Sequence, residues 1–447
     1  MMRYRLDPSW RRPGDGRTVV AGSPLRLFRL SEGGAHVMAR VEADDPPDTE
    51  AVRQLLDRFV EAGALHPRYD SSPHTAAAVT VVIPSLGTVP ALPAGLRVIV
   101  VDDGSEPALT LPEHPDARLV RLDHNQGPAA ARNAGLAHVT TPLVAFVDAD
   151  VQLGADWLEP LLAAFSDPKV ALVAPRVAGA DGPTWLDHYE QRHSPLDLGT
   201  QPARVSPGTR VSYLPAAALV CRVDALRAVD GFDATMRVGE DVDLVWRLIE
   251  AGHRCRYEPE SIVHHRARPS VGALARQRLG YGRSAASLAR RHDGALAPAR
   301  MSGWSLGIWG LVVARRPVLA AVVAAGTGVA LGRKLRHLPP TEIARLVGVG
   351  HLAAGRQLAE ATRRVWWPLA VPALLWRRTR AWALLAFVVP TAVDACRTRS
   401  ARPLLDWPMR TADEAVYGAG VWWGMAAERT VAPLVPDITS WPSRGGG

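Results

Sequence analysis

Between residues 79 and 174, short unbroken apolar runs alternate with segments able to form helices. Val79-Thr80-Val81-Val82-Ile83-Pro84 ends in proline, and comparable runs follow at 97–101, 118–122, 143–147 and 170–174. Apolar runs of this length read as buried parallel strands. With helix-compatible stretches at 129–138 and 157–165 between them, the alternation predicts a doubly wound α/β sheet. Ligands of such sheets bind outside the carboxyl ends of the strands. Acidic residues fall at those ends: Asp102-Asp103 after one run, Asp148 and Asp150 after another.

The flanking regions have other periods. Residues 17–21 and 25–30 are strand-like around a turn at Gly22-Ser23-Pro24, and Asp48 to Gly63 is a predicted helix. There Val52, Leu55, Leu56, Phe59 and Val60 recur at three and four, Thr49 caps the start and Gly63 stops the end. The polar stretch Asp70-Ser71-Ser72-Pro73-His74 marks a linker at 70–77. Beyond residue 300, apolar runs at 304–314, 317–332, 365–376 and 381–393 are broken by arginine pairs such as Arg315-Arg316 and Arg377-Arg378. None reaches the ~20 apolar residues of a membrane span. Three domains are therefore expected, at 1–72, 78–290 and 291–447.

Charge sharpens this division. Residues 1–260 hold 26 basic and 35 acidic groups, a balance of −9, and the whole chain carries +8, which leaves +17 for the rest. Ten of the 14 tryptophans also lie past residue 300. Tryptophan beside arginine is the composition of a membrane interface, so an anionic cytoplasmic membrane surface is the expected partner of the C-terminal region; buried core helices are the alternative. A nucleic-acid stripe is excluded: Lys169 and Lys334 are the only lysines, and apolar runs interrupt the arginines. The three cysteines form no CxxC pair, which fits neither a disulfide framework nor a zinc site and suits a reducing cytoplasm. Met1 to Arg17 has no apolar core of a secretory signal.

Four further segments have chemical potential. Asp148-Ala149-Asp150 lifts two carboxylates to the sheet edge, where oxygen ligands suit Mg²⁺ or Mn²⁺, although such tripeptides also cap helices. Asn125-Gln126-Gly127-Pro128 opens a helix whose N–H groups and Arg132 suit a phosphate or a plain surface cap. Gly239-Glu240-Asp241-Val242-Asp243 sets three acids in one helical first turn, as dipole partners or with one as a general base. His264-His265 ends another run, and a neutral imidazole there is either a metal ligand or a surface hydrogen-bonding group.

Taken in order, VTVVIPS, VVDDGS, NQGPAAARN, FVDAD, GFD, GEDVDLVWR and the late histidine resemble the family 2 glycosyltransferases of A-type fold over residues 79–285. The resemblance implies a Rossmann-like nucleotide-diphospho-sugar transferase (GT-A) fold, flanked here by a small N-terminal α+β domain and a mainly helical C-terminal region. It implies inverting transfer from a UDP-sugar. Pro84, Asp102 and Asp103 would meet the base, Arg132 and Asp148 line the donor, and Asp150 with His265 (or His264) hold Mn²⁺ or Mg²⁺. Asp241 would be the base, with Glu240 and Trp246 at the acceptor. One departure is that Ser85 to Leu96, with Pro90, Pro93 and Gly95, replaces the family's usual helix of about 20 residues, and Leu86-Gly87 its usual aromatic.

Outside this core, Tyr189-Glu190, the segments 194–199 and 211–217, and Tyr417-Gly418-Ala419-Gly420-Val421-Trp422 resemble the branch of the family that serves mycofactocin biosynthesis. The N-terminal region is similar to small PqqD-like, winged-helix-like peptide-recognition domains. The implied acceptor is mycofactocin or its peptide-derived precursor, glucosylated from UDP-glucose at the cytoplasmic membrane with the catalytic domain facing the cytoplasm. A polyprenyl-phosphate or other lipid acceptor, and a non-enzymatic membrane scaffold, are the competing expectations.

Overall fold

The computed structural model describes residues 2–111, 117–377, 379–398 and 403–439. The chain forms two compact units, one of Met1–Arg11 with Val19–Pro269 and the other of Arg12–Thr18 with Ser270–Gly447.

The first unit opens with a small module: β1 (Arg3–Leu6), β2 (Thr18–Ala21), β3 (Arg26–Arg29), α1 (Glu32–Glu42), α2 (Glu50–Glu61) and β4 (Leu65–Arg68). Strand β1 pairs antiparallel with β4, and β2 pairs with β3. Helix α2 starts where its cap predicts, with the Thr49 side chain accepting from Val52 N–H. Its Leu56 and Phe59 fill a core with Met38, and Phe28 stacks on Phe59 at 4.3 Å. Helix α1 was not expected from sequence because Gly33 and Gly34 dilute its first turn; Met38 and Val41 are buried and hold it against the core.

Asp7 ties this module to the loop that follows the edge strand Ala203–Arg204 of the main sheet. Its buried carboxylate accepts from His66 Nε2 at 3.1 Å, from Arg210 at 2.8 Å and from Ser9 N–H at 2.9 Å. Burial alone would raise its pKa, but these donors hold it well below the usual carboxylate range. Its contribution to stability is therefore present above the ordinary aspartate pKa and is lost as pH falls through the depressed one. Asp7→Asn is expected to destabilise the protein by about 1–3 kcal/mol, because the buried hydrogen bonds from His66, Ser9 and Arg210 lose their charged acceptor. A urea titration at neutral pH measures this, and an unchanged midpoint would refute it.

The main sheet has nine strands: β5 (Val79–Ser85), β6 (Arg97–Asp102), β7 (Arg118–Arg121), β8 (Leu143–Val147), β9 (Val151–Leu153), β10 (Val170–Gly179), β11 (Ala203–Arg204), β12 (Ala218–Arg222) and β13 (Arg254–His265). The spatial order is β11-β13-β10-β12-β8-β5-β6-β7, with β9 added on β13. Strands β8, β5, β6 and β7 are parallel, as the apolar runs predict. The sheet is nevertheless mixed, because β12 lies antiparallel between β8 and β10. Periodicity reveals a strand's burial but not its direction, so this insertion was not foreseen. Helices α3 (Pro128–Leu136), α4 (Glu159–Ala163), α5 (Trp185–His193), α6 (Val223–Ala228) and α7 (Glu240–Glu250) complete the unit. Helix α3 sits close on the sheet through Gly135, where a Cβ would fall 2.3 Å from a methyl of Val82. No helix forms between β5 and β6, in keeping with the prolines there.

The second unit contains α8 (Val271–Arg291), β14 (Arg300–Ser302), α9 (Gly303–Val313), α10 (Pro317–Lys334), α11 (Pro340–Arg364), α12 (Trp367–Leu375), α13 (Arg380–Thr398), α14 (Pro403–Glu428) and β15 (Asp437–Thr439). The four late apolar runs become α9, α10, α12 and α13. Among the described residues no helix is long and apolar enough to cross a membrane. Helices α8 and α14 cross at van der Waals distance through Gly282 and Gly420, each of which faces main-chain atoms of the other helix. Strand β14 pairs in parallel with β15.

Candidate active site

Three elements converge on one arginine. Helix α3 carries Arg132, whose guanidinium is buried and forked: one arm donates to Asp148 Oδ1 at 2.7 Å and the other to Glu240 Oε1 at 2.8 Å. Asp148 sits just past the end of β8, where its N–H donates to the carbonyl of Ala217. Glu240 begins α7. A planar, permanently charged fork is the side chain suited to holding two carboxylates at once. Phe232 lies under the guanidinium at 5.3 Å and dries that side of it.

Asp241 follows Glu240 and is held by the chain that enters β12. Its Oδ2 accepts from Ala216 N–H at 3.1 Å and its Oδ1 from Val242 N–H at 2.8 Å. Burial raises the pKa of Asp241, against the opposing pull of these N–H donors and Arg132. Burial and the neighbouring Asp241 charge likewise push Glu240 up. A carboxylate moved toward neutrality in this way is suited to accept a proton near physiological pH.

A second cluster forms where β9 pairs with the end of β13. Val151 opposes His265, which brings His265 Nε2 to 3.3 Å from Asp150 Oδ1. Strand alternation leaves His264 exposed, so of the two histidines it is His265 that the fold sets beside Asp150. Arg268 lies 3.3 Å from the other Asp150 oxygen. Burial would raise the Asp150 pKa; His265 and Arg268 together bring it below the usual value. Arg268 was missed from sequence, and the only signal for it was a cation three residues beyond a candidate ligand.

The remaining expected residues divide. Pro84 is half-buried in β5 opposite Val101 of β6, and Ser85 opposite Asp102. Asp103 accepts from the N–H groups of Gln126 at 2.7 Å and Gly127 at 2.9 Å, which braces the entry to α3. Three more of the expected residues have partners within the protein. Asp102, expected at the base, is fully buried and accepts from Ser105 N–H, Leu109 N–H and Arg121, so it anchors the loop after β6. Trp246, expected at the acceptor, is buried and donates its indole N–H to the Ser212 carbonyl at 2.7 Å. Glu240, expected beside it, is buried on Arg132 and acts through that pair.

The Asp150 and His265 side chains offer one hard oxygen and one imidazole nitrogen. No group of three such ligands occurs among the described residues. A small divalent cation commonly takes one or two protein ligands and completes its shell with substrate phosphates and water. The pair fits that mode of binding.

The chain is similar to known proteins. The family profile described as Glycosyl transferase family 2 matches residues 91–229. The chain is 41% identical over 452 residues, covering 95% of both sequences, to a pre-mycofactocin glycosyltransferase of Mycobacterium tuberculosis. It is 28% identical over 193 residues to the succinoglycan biosynthesis protein ExoO of Rhizobium meliloti, covering 40% of this chain and 55% of that one. Among solved structures, the mannosyltransferase PcManGT from Pyrobaculum calidifontis in complex with GDP-Man and Mn²⁺ aligns over 83% of this chain and 93% of its own, at 18% identity and a TM-score of 0.44.

Proposed function

Because the chain belongs to glycosyltransferase family 2 and is related over nearly its whole length to pre-mycofactocin glycosyltransferase, we propose that it is an inverting, divalent-cation-dependent hexosyltransferase. In this reading it moves glucose from UDP-glucose onto mycofactocin or its peptide-derived precursor and builds β-linked glucose units. The observation that carries the reaction is the Asp241 carboxylate, held at the start of α7 by Ala216 N–H beside the strand end that bears Asp148 and Asp150.

The chemistry is a single displacement. Asp241 takes the proton of an acceptor hydroxyl as its oxygen bonds to the anomeric carbon. The bond from that carbon to the diphosphate oxygen breaks on the opposite face, UDP departs with the electron pair, and the configuration inverts. Asp150 and His265 would hold the cation, with Arg268 adding positive charge next to Asp150. When bound, the cation neutralises the charge that grows on the diphosphate leaving group. Arg132 keeps Asp148 and Glu240 together and so fixes the base-bearing helix against the strand end. Pro84 and Asp103, at the carboxyl ends of β5 and β6, border the nucleoside.

The reading is tested by UDP release from purified protein with UDP-glucose and acceptor. EDTA is expected to abolish release, and Mn²⁺ or Mg²⁺ to restore it. Asp150→Ala is expected to abolish it in the presence of either ion. Turnover that persists without a divalent ion would overturn the cation assignment, and turnover with another UDP-sugar alone would overturn the choice of glucose.

A further inference from the structure

The helical unit leaves apolar side chains facing outward on several of its helices, and two of these carry them as rows flanked by cations. On α10, Val318, Leu319, Val322 and Val329 are 74, 51, 62 and 57% exposed, a stripe at helical spacing. The opposite face of the same helix is occupied. Thr327 bonds His351 Nε2 at 3.0 Å, and Ser305 of α9 bonds its Nδ1 at 2.9 Å, which pins both helices onto α11. On α13, Leu384, Leu385, Val388 and Val389 are exposed at i, i+1, i+4 and i+5. A helix apolar on both its packed and its free face has not finished burying itself.

Charge identifies what covers the free faces. No acidic residue lies between Asp293 and Glu342, nor between Glu360 and Asp394. Exposed Arg315 and Arg316 precede α10, exposed Arg333 and Lys334 end it, and exposed Arg377 and Arg380 stand at the start of α13; Arg378 lies outside the described residues. An apolar stripe between clusters of cations, without carboxylates, complements anionic headgroups over acyl chains. A second copy would meet it poorly, since a two-fold contact of this surface with itself brings like charges together at both ends. We propose that the outward faces of α10 and α13 lie in the interfacial layer of an anionic lipid bilayer, so that the helical unit is a monotopic anchor. At about 1.5 Å per residue the 18-residue α10 is about 27 Å long and rests in the membrane plane.

The test is co-sedimentation of the full chain with vesicles of phosphatidylcholine alone and of phosphatidylcholine with phosphatidylglycerol. The protein is expected to pellet with the anionic vesicles and to bind the neutral ones at least ~10-fold less, given about 1 kcal/mol for each cation near the surface. Val322→Glu with Val329→Glu, both at exposed positions, is expected to lower binding by at least ~10-fold with unchanged circular dichroism. Leu384→Glu with Val388→Glu serves as the independent variant on α13. Protein that stays in solution with anionic vesicles, or variants that pellet like the parent, would overturn the proposal. So would variants that leave vesicle binding intact but convert a dimer to a monomer in sedimentation equilibrium, which would assign the surface to a second copy. UDP release from the same samples is a separate measurement, so failure of the catalytic reading leaves this result interpretable.

Discussion

Asparagine at position 241 is expected to lower glycosyl transfer at least ~10²-fold while UDP-sugar binding and thermal stability change little. The amide keeps the size of the carboxylate and can still accept from Ala216 N–H, so the start of α7 retains its support. What it cannot do is accept the acceptor's proton. The sign of the pH dependence is fixed by burial, which raises the carboxyl pKa. Transfer by the parent protein should therefore fall as pH drops through a value above the ordinary aspartate range, and the residual rate of the variant should lack that limb. Ionising a raised carboxyl costs the native state stability as pH rises through the folded pKa, so any change in stability on substitution is expected to be a small gain and not a loss. Transfer kinetics against pH, with calorimetric donor binding, measure both halves. Near-normal transfer, or lost folding instead of lost turnover, would refute the assignment and move attention to Glu240.

The second large effect is expected at Arg132. Replacement by methionine leaves two carboxylates facing each other without their shared cation, and is expected to destabilise the protein by about 3–5 kcal/mol. Turnover should fall as well, because the base-bearing helix loses its tie to the strand end. Arg132→Lys keeps the charge but not the fork, so it should recover stability better than turnover. Adding Glu240→Gln to the methionine variant removes one of the opposed charges and should restore part of the lost stability, a coupling that separate roles for the two residues would not produce. Denaturation midpoints of the four proteins measure the stability effects, and an Arg132→Met protein as stable as its parent would refute the clamp.

These two residues also show where sequence reading succeeds and stops. The strands at 79–84, 97–101 and 143–147 were legible because burial on both faces demands unbroken apolar runs, and the runs delivered the acidic groups to the correct end of the sheet. Helix α2 was legible because its cap, its three-and-four spacing and its terminal glycine agree. The chemistry-bearing types were legible as well, but their partners were not. Arg132 and Glu240 are 108 positions apart, and the fork that joins them exists only once α3, β8 and α7 have assembled. Asp102 and Asp103 look alike in sequence, yet both are buried and brace different loops, Asp102 the one after β6 and Asp103 the entry to α3. Trp246 illustrates the same limit: an aromatic on an amphipathic helix shows its spacing but not which side is dry. The resemblance favoured His265 over His264, and strand alternation sets His265 rather than His264 beside Asp150.

The glycine-lined crossing of α8 and α14 bears on how the chain is made. The first unit can assemble once residue 269 has left the ribosome, since all of its strands and helices are then synthesised. Helix α8 emerges next, but the surface that accepts Gly282 belongs to a helix that begins more than a hundred residues later. Throughout that interval the apolar helices between them are exposed without the element that closes the unit, and β14 likewise waits for β15. Contacts so distant in sequence form late and all together. The nascent chain thus has a prolonged window in which a chaperone or a nearby bilayer competes with aggregation for α9 to α13, and translation speed across this stretch becomes a determinant of yield.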